Sequence, residues 1–457
     1  LSVQGTGKNG GCTSSQVTGN TVLNAGEHGI FVYKGQKVTV ADNVVNAAGK
    51  NGIFVSTSCN NANVKGNTVQ TAKENGIAVT SKSLYATVTG NTILAYGTAN
   101  KGGSRYGIMI YQSGGNAKKN TIVKQNRVTG TGKVKGRNGI QISESAYTTV
   151  SGNVITKPNG SGIFLFKSKN CKIGSGKKDY NTIKSSTEQG IYLTCNCDGG
   201  KVQYNKITGA KAEGIGSYQS KKLTINANTV SSKADGIYIN TSSSMCKITN
   251  NVISSAGANG IRVSSKSTNV TVNGNTIKKY ASAASDGCGI YVYQSGGKNR
   301  KSCSTVNKNK ITGTGKSTNK NGIKVSESSF ITMDGNTLTN IQGTAIYVYK
   351  SKNASLNKNV IKKPKKQGIY LTTSCDNAKI TANTVTKPGD TAIATYKAPK
   401  TLISSNKITT TKKLSGIWVS NSNSTQVKSN TVTGAKKKKA IMITSSKKCK
   451  NSKNKIK

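Results

Sequence analysis

Apolar residues recur along this chain in short alternating runs. One run opens with Gly-Ile or Ala-Ile and continues as any residue followed by Val, Ile or Leu. Its Ile stands at Ile30, Ile53, Ile77, Ile108, Ile140, Ile163, Ile191, Ile215, Ile237, Ile261, Ile290, Ile323, Ile346, Ile369, Ile393, Ile417 and Ile441, mostly 22 to 24 residues apart. Between these runs lies a second element, Asn-x-Val/Ile, with its Asn at 18 positions from Asn20 to Asn454. Alternation with period two predicts strands, and a fixed repeat of this length predicts a solenoid. Each unit reads as one coil of two or three short strands broken by tight turns.

The alternation also assigns faces. Ile30 and Val32 point one way while Phe31 and Tyr33 point the other, and the same holds at Ile53/Val55, Ile191/Leu193 and Ile346/Val348. One such strand cannot bury its apolar face alone. Coils stacked at about 4.8 Å pair their backbones in parallel and share an aliphatic interior. The invariant place of Asn predicts a structural ladder, each side chain bonding to the Asn above and below and to backbone. The Gly before Ile predicts a backbone site where a side chain would clash; Ala345, Ala392 and Ala440 occupy that place in three copies.

A longer repeat is superimposed. Ile30, Ile215 and Ile393 correspond, and Tyr111-Gln-Ser-Gly-Gly115 returns as Tyr293-Gln-Ser-Gly-Gly297, while Ser143-Glu-Ser145 returns as Ser326-Glu-Ser328. A block of seven coils is therefore duplicated, at about 30–214 and 215–392, with a partial third copy at 393–457.

The Asn-x-Ile and Gly-Ile-x-Val signature over residues 17–456 resembles the right-handed parallel β-helix repeat proteins of the pectate-lyase-like superfamily. The resemblance implies an all-β, right-handed parallel β-helix of about 17–18 coils forming one domain, residues 1–457. It implies activity poorly, because lyases, epimerases and binding proteins share this coil.

Composition narrows the classes. Twelve Leu against 51 Gly exclude a helical bundle. No apolar stretch reaches 18 residues, so no membrane span is expected, and the opening at Leu1 is expected to lie inside a longer precursor. Ten Cys without a Cys-x-x-Cys pair and a single His, His28, give no metal signature, and no cofactor is expected. Such Cys usage favours an oxidising compartment; Cys288–Cys303 and Cys171 with Cys195 or Cys197 are candidate disulfides, with small buried thiols as the alternative.

The charge is the dominant functional signal: 67 Lys+Arg against 14 Asp+Glu, a net +53. With the interior reserved for Ile, Val and Asn, the basic side chains are expected on the outside. Sixteen of the 24 aromatics occupy outward positions of the Gly-Ile strand, a strip suited to stacking on sugar rings or to ring packing between coils. Coils are enlarged at Asn91–Ile108, Asn126–Ile140, Asn275–Ile290 and Asn309–Ile323, and such insertions form loops on one face. Candidate ligand-binding residues on the strip and beside these loops are Tyr96, Arg105, Tyr106, Tyr111, Arg137, Tyr280, Tyr291, Tyr293, Tyr347 and Tyr349. The acids are too scattered for clustered acid/base chemistry; Glu144 and Glu327, matched between the blocks, are the only catalytic candidates, with charged turn residues as the alternative.

The expected function is thus an extracellular or cell-surface rod that binds anionic polymers, above all acidic polysaccharide or cell-wall polyanions. A structural stalk or filament segment and a polysaccharide lyase or epimerase are the alternatives. End-to-end self-association through apolar coil ends is expected, and nucleic acid is expected to bind only non-specifically.

Overall fold

A computed structural model describes residues 1–5, 12–99, 105–131, 137–283, 287–313 and 320–457. The expected fold is present: an all-β, right-handed parallel β-solenoid of about 18 turns. The chain divides into two compact units, Leu1–Ser232 and Lys233–Lys457. Among the described residues the single helix is the four-residue turn Lys437–Ala440.

Every coil contributes up to three strands. In the first unit, Ile30–Tyr33 pairs in parallel with Ile53–Ser56, placing Ile30 beside Ile53, Phe31 beside Phe54 and Val32 beside Val55. Thr39–Ala41 pairs with Asn63–Lys65, and Val44–Asn46 with Thr68–Val69. The second unit repeats the plan, with Ile346–Tyr349 on Ile369–Thr372 and Val360–Lys362 on Thr384–Thr386. In-register stacking follows from the sequence, because a slip of one residue would turn Ile and Val outward and the aromatics inward. The core is accordingly dominated by Ile and Val, with Leu in places: Ile30, Val32, Val45, Ile163, Leu165 and Ile183 in the first unit and Ile323, Val325 and Ile361 in the second are all fully buried.

The Asn ladder forms as expected. Asn20, Asn43, Asn67, Asn91, Asn126, Asn153, Asn181, Asn205 and Asn228 run through the first unit, at the corner between the second and third strands. From Asn20 through Asn205, each backbone N–H and side-chain Nδ2 donates to Oδ1 of the next Asn, for example Asn67 to Asn91 at 2.9 Å in both bonds. Nδ2 also donates to a core carbonyl, as Asn67 does to Val40 O at 2.9 Å. The second unit carries the same ladder from Asn251 to Asn454. A buried amide that would otherwise lose its hydration is thereby satisfied.

A second ladder stands at the corner after the Ile strand. There the chain turns through a residue with positive φ, such as Lys34 (51°), Glu144 (48°) or Lys350 (44°), and the next inward residue is usually Ser. The N–H of Ser83 donates to Ser113 Oγ at 3.1 Å, Ser113 to Ser145 at 3.0 Å and Ser145 to Ser168 at 3.0 Å. In the second unit Ser295 donates to Ser328 and Ser328 to Ser351. Cys59, Cys197 and Cys375 take the same buried place.

The Gly before Ile is explained by packing. A Cβ at Gly52 would lie 2.5 Å from Val69 Cγ1 and 2.6 Å from Gly76 O, and Gly139 and Gly289 are equally enclosed. No disulfide forms: all ten cysteines are free, contrary to the proposed pairs. Cys171 and Cys197 are buried, and burial pushes their thiols up to about 12 and about 11.

Candidate binding face

Alternation on the Ile strands leaves two outward positions per coil, and these build the site. Of the sixteen outward aromatics, Tyr111 is exposed and the other fifteen are half-buried. In the first unit Phe31 stacks on Phe54 at 5.4 Å and 14° between planes, and Phe164 meets Tyr192 edge-on at 5.6 Å. Cross-coil ring packing, the structural alternative, is therefore real at these pairs, and each ring keeps one edge or face towards solvent.

The second unit holds the more distinctive arrangement. Its strands carry, at one outward position of successive coils, Tyr238, Arg262, Tyr291, Lys324, Tyr347 and Tyr370, all in direct register. Arg262 Cζ lies 4.8 Å from the Tyr238 ring centroid and 5.9 Å from that of Tyr291, and Lys324 Nζ lies 5.1 Å from Tyr291. Tyr347 and Tyr370 pack edge-on at 5.8 Å. Asp235 faces Arg262 at 3.9 Å and offsets part of its charge. Partial burial raises the Tyr291 and Tyr347 hydroxyls, so both stay neutral donors at physiological pH.

At the other outward position an aromatic is followed by Lys or Gln in the left-handed conformation. That turn folds the lysine back over its neighbour's ring: Lys34 over Tyr33 at 5.2 Å, Lys167 over Phe166 at 5.0 Å, Lys350 over Tyr349 at 5.2 Å and Lys397 over Tyr396 at 5.4 Å. Lys167, Lys350 and Lys397 are exposed and Lys34 is half-buried; at exposed sites a cation–π contact is worth only about 0.5–1 kcal/mol. An anionic group arriving beside the ring can recruit them at little cost.

Around these faces the basic surface is largely unpaired; among the described residues four ion pairs occur. A hollow of about 610 Å³ in the second unit is lined by Asn340, Gln342, Lys363, Pro364, Lys365 and Lys387, with no acid in its wall.

The expected site residues divide. Tyr111, Tyr291, Tyr293, Tyr347 and Tyr349 lie on the outward strip, and Tyr106 is half-buried. Tyr96 and Tyr280 do not belong there: each is 1% exposed and spends its hydroxyl on a carbonyl, that of Arg137 or Lys320, so they are core residues. Arg105 and Arg137 are buried as well, at 7% and 4%. Parts of the enlarged coils, residues 100–104, 132–136, 284–286 and 314–319, lie outside the described residues. Arg262 and Lys324 were missed by the sequence reading; aligning the residue between Ile and Val of every coil would have exposed them.

Glu144 and Glu327 are exposed turn residues with positive φ. Each accepts a hydrogen bond at 2.9 Å from the glutamine of the preceding coil, Gln112 or Gln294. His28 accepts from Asn51 N at 3.3 Å at a turn, and burial lowers its pKa, which keeps it neutral.

The chain matches the family described as right handed beta helix region at residues 98–253, 138–306, 224–385 and 321–457, together well over half its length. Residues 4–132 match the family described as periplasmic copper-binding protein (NosD). The described residues do not gather a set of copper ligands: Cys59 Sγ points at carbonyls of its own wall, and His28 Nδ1 accepts from Asn51 N. No group of three or more His, Cys, Asp or Glu suited to a metal occurs among the described residues. No curated protein sequence matches significantly. Similar solved structures include a mutant tailspike protein of E. coli bacteriophage HK620 in complex with a pentasaccharide. It is 13% identical, covers 84% of this chain and 72% of its own, and has a TM-score of 0.44. The surface adhesin PfbA of Streptococcus pneumoniae is 14% identical, covering 85% of each chain at 0.34. A mutant of the periplasmic alginate epimerase AlgG is 10% identical, covering 92% and 77% at 0.25. On the strength of the repeat, the ladders and the family match, the chain is a member of the right handed beta helix family.

Proposed function

We propose that the protein binds an anionic polysaccharide outside the cytoplasm, at the cell surface or in the periplasm. The ligand lies along the outward face of the Ile strands, with the second unit's ladder as the principal contact. The observation that carries this reading is the in-register alternation of Tyr238, Arg262, Tyr291, Lys324, Tyr347 and Tyr370. Tyrosine faces accept the apolar side of a sugar ring, and Arg262 and Lys324 between them meet carboxylate or sulfate groups. A polymer repeats its charged group as the solenoid repeats its coil, so weak contacts in successive coils multiply through effective concentration. The lysines folded over neighbouring rings and the net charge of +53 steer the polymer to the face.

A glycan screen at low and high salt tests this. Retention of acidic glycans that falls steeply with salt and exceeds retention of neutral glycans is expected. Equal retention of neutral and acidic glycans, or none of either, would refute it.

A further inference from the structure

Among the described basic residues only three are buried: Arg105, Arg137 and Lys320, at 7%, 4% and 9% exposure. Two of them meet. Arg105 Nη1 and Arg137 Nη2 both donate to Ala99 O, the latter at 2.7 Å. Both side chains lie against Gly97, whose φ is +62°; a Cβ there would sit 2.7 Å from Arg137 Cδ and 3.1 Å from Arg105 Cβ. Arg105 Nε has no acceptor among the described residues. Burial lowers the Arg137 pKa, and the neighbouring Arg105 charge lowers it further.

A guanidinium cannot escape this position by releasing its proton. Two like charges removed from water therefore call for a counter-charge. Neither arginine enters an ion pair among the described residues; Glu74, in the adjoining coil, meets Gly97 through its backbone carbonyl, which accepts from Gly97 N at 2.7 Å. One carbonyl shared by two cations leaves most of their ten N–H donors for something else.

We propose that Arg105 and Arg137 form a binding site for one small oxyanion, a sulfate, phosphate or carboxylate group gripped by two guanidinium forks. The duplicated block provides an internal comparison. There Tyr280 matches Tyr96 and Lys320 matches Arg137, but Gly287 stands three residues before Ile290 where Arg105 stands three before Ile108. Lys320 Nζ donates to Ala281 O, alone. The second unit has one cation, already engaged, and no paired fork, so the site belongs to the first unit only. It is independent of the strip reading, since it needs a single anion rather than a polymer.

Isothermal titration of the full chain with sodium sulfate, sodium phosphate and sodium glucuronate, each in a chloride background of constant ionic strength, tests it and separates the three sources. One saturable site per chain is expected for at least one anion. Affinity should fall about 10- to 100-fold in R105Q or R137Q, the loss of charge-assisted hydrogen bonds, and stay unchanged in K320Q. R137K, which keeps the charge but loses the fork, should also weaken binding. No saturable site for any anion, or equal affinity in wild type and R105Q, would overturn the proposal. Where the glutamine variants do not fold, selenate-soaked wild-type crystals decide: an anomalous peak within hydrogen-bond distance of both guanidiniums supports the site, and selenate found only at surface lysines overturns it.

Discussion

The Asn ladder makes a prediction that can be worked from its bonds. Asn153 sits mid-ladder in the first unit, fully buried. Its Oδ1 accepts from Asn126 N and Nδ2, both at 2.9 Å, and its Nδ2 donates to Val123 O and Asn181 Oδ1, both at 2.9 Å. Alanine leaves the Asn126 N–H buried without an acceptor, about 1–3 kcal/mol, and removes further bonds worth about 1 kcal/mol each. The total is about 4–6 kcal/mol. Asn20, half-buried at the ladder's end, uses its amide on Asn43 Oδ1 and Thr18 O, and among the described residues no Asn donates to its Oδ1; Asn20→Ala should cost about 1 kcal/mol. With a urea slope of about 3 kcal/mol per M, the Asn153→Ala midpoint falls by about 1.3–2 M and that of Asn20→Ala by only about 0.3 M. Urea titration followed by circular dichroism, with hydrogen exchange to locate the loosened coils, measures both. Equal midpoints for the two variants would refute the claim that ladder position sets the cost.

Three further outcomes follow from the packing of the coils. Alkylation of the folded protein at pH 8, read by mass spectrometry, should label Cys12, Cys195, Cys303 and Cys449 quickly and spare the six buried thiols; rapid labelling of Cys171 would contradict its burial. Because burial holds the Cys171, Cys197 and Cys375 thiols at about 12, 11 and 11, against about 8.5 when unfolded, their contribution to stability is complete below about pH 8.5 and lost as pH rises towards the folded values; melting curves from pH 7 to 11 should decline less in a Cys197→Ser/Cys375→Ser variant relative to its own pH 7 value. Ser295→Ala removes the acceptor of Ser267 N and should cost about 1–3 kcal/mol, visible as faster exchange of the Ser267 amide, whereas unchanged exchange would mean the ladder bond is dispensable.

Much of this architecture is legible in the sequence because each coil repeats the same physical requirement. Ile and Val at alternate positions declare the interior, and an Asn that never moves relative to them declares a ladder. The Ser ladder was illegible because Ser is abundant and Cys59, Cys197, Cys375 and Ala398 interrupt its place. Tyr96 and Tyr280 were misplaced because they precede enlarged coils, where strand alternation stops and gives no face. Arg262 and Lys324 escaped notice for a different reason: among 67 basic residues, two lysine-like signals stand out only when coils are laid in register.

The most direct test of the binding account compares wild type with an Arg262→Gln/Lys324→Gln variant on polygalacturonate, measuring affinity across a salt series. Loss of two of 67 basic residues barely alters the overall field, so a diffuse polycation would bind almost as before. The ladder predicts a fall of about tenfold or more at low salt, a shallower salt dependence, and retained folding by circular dichroism. Wild-type affinity and slope in the variant would contradict it.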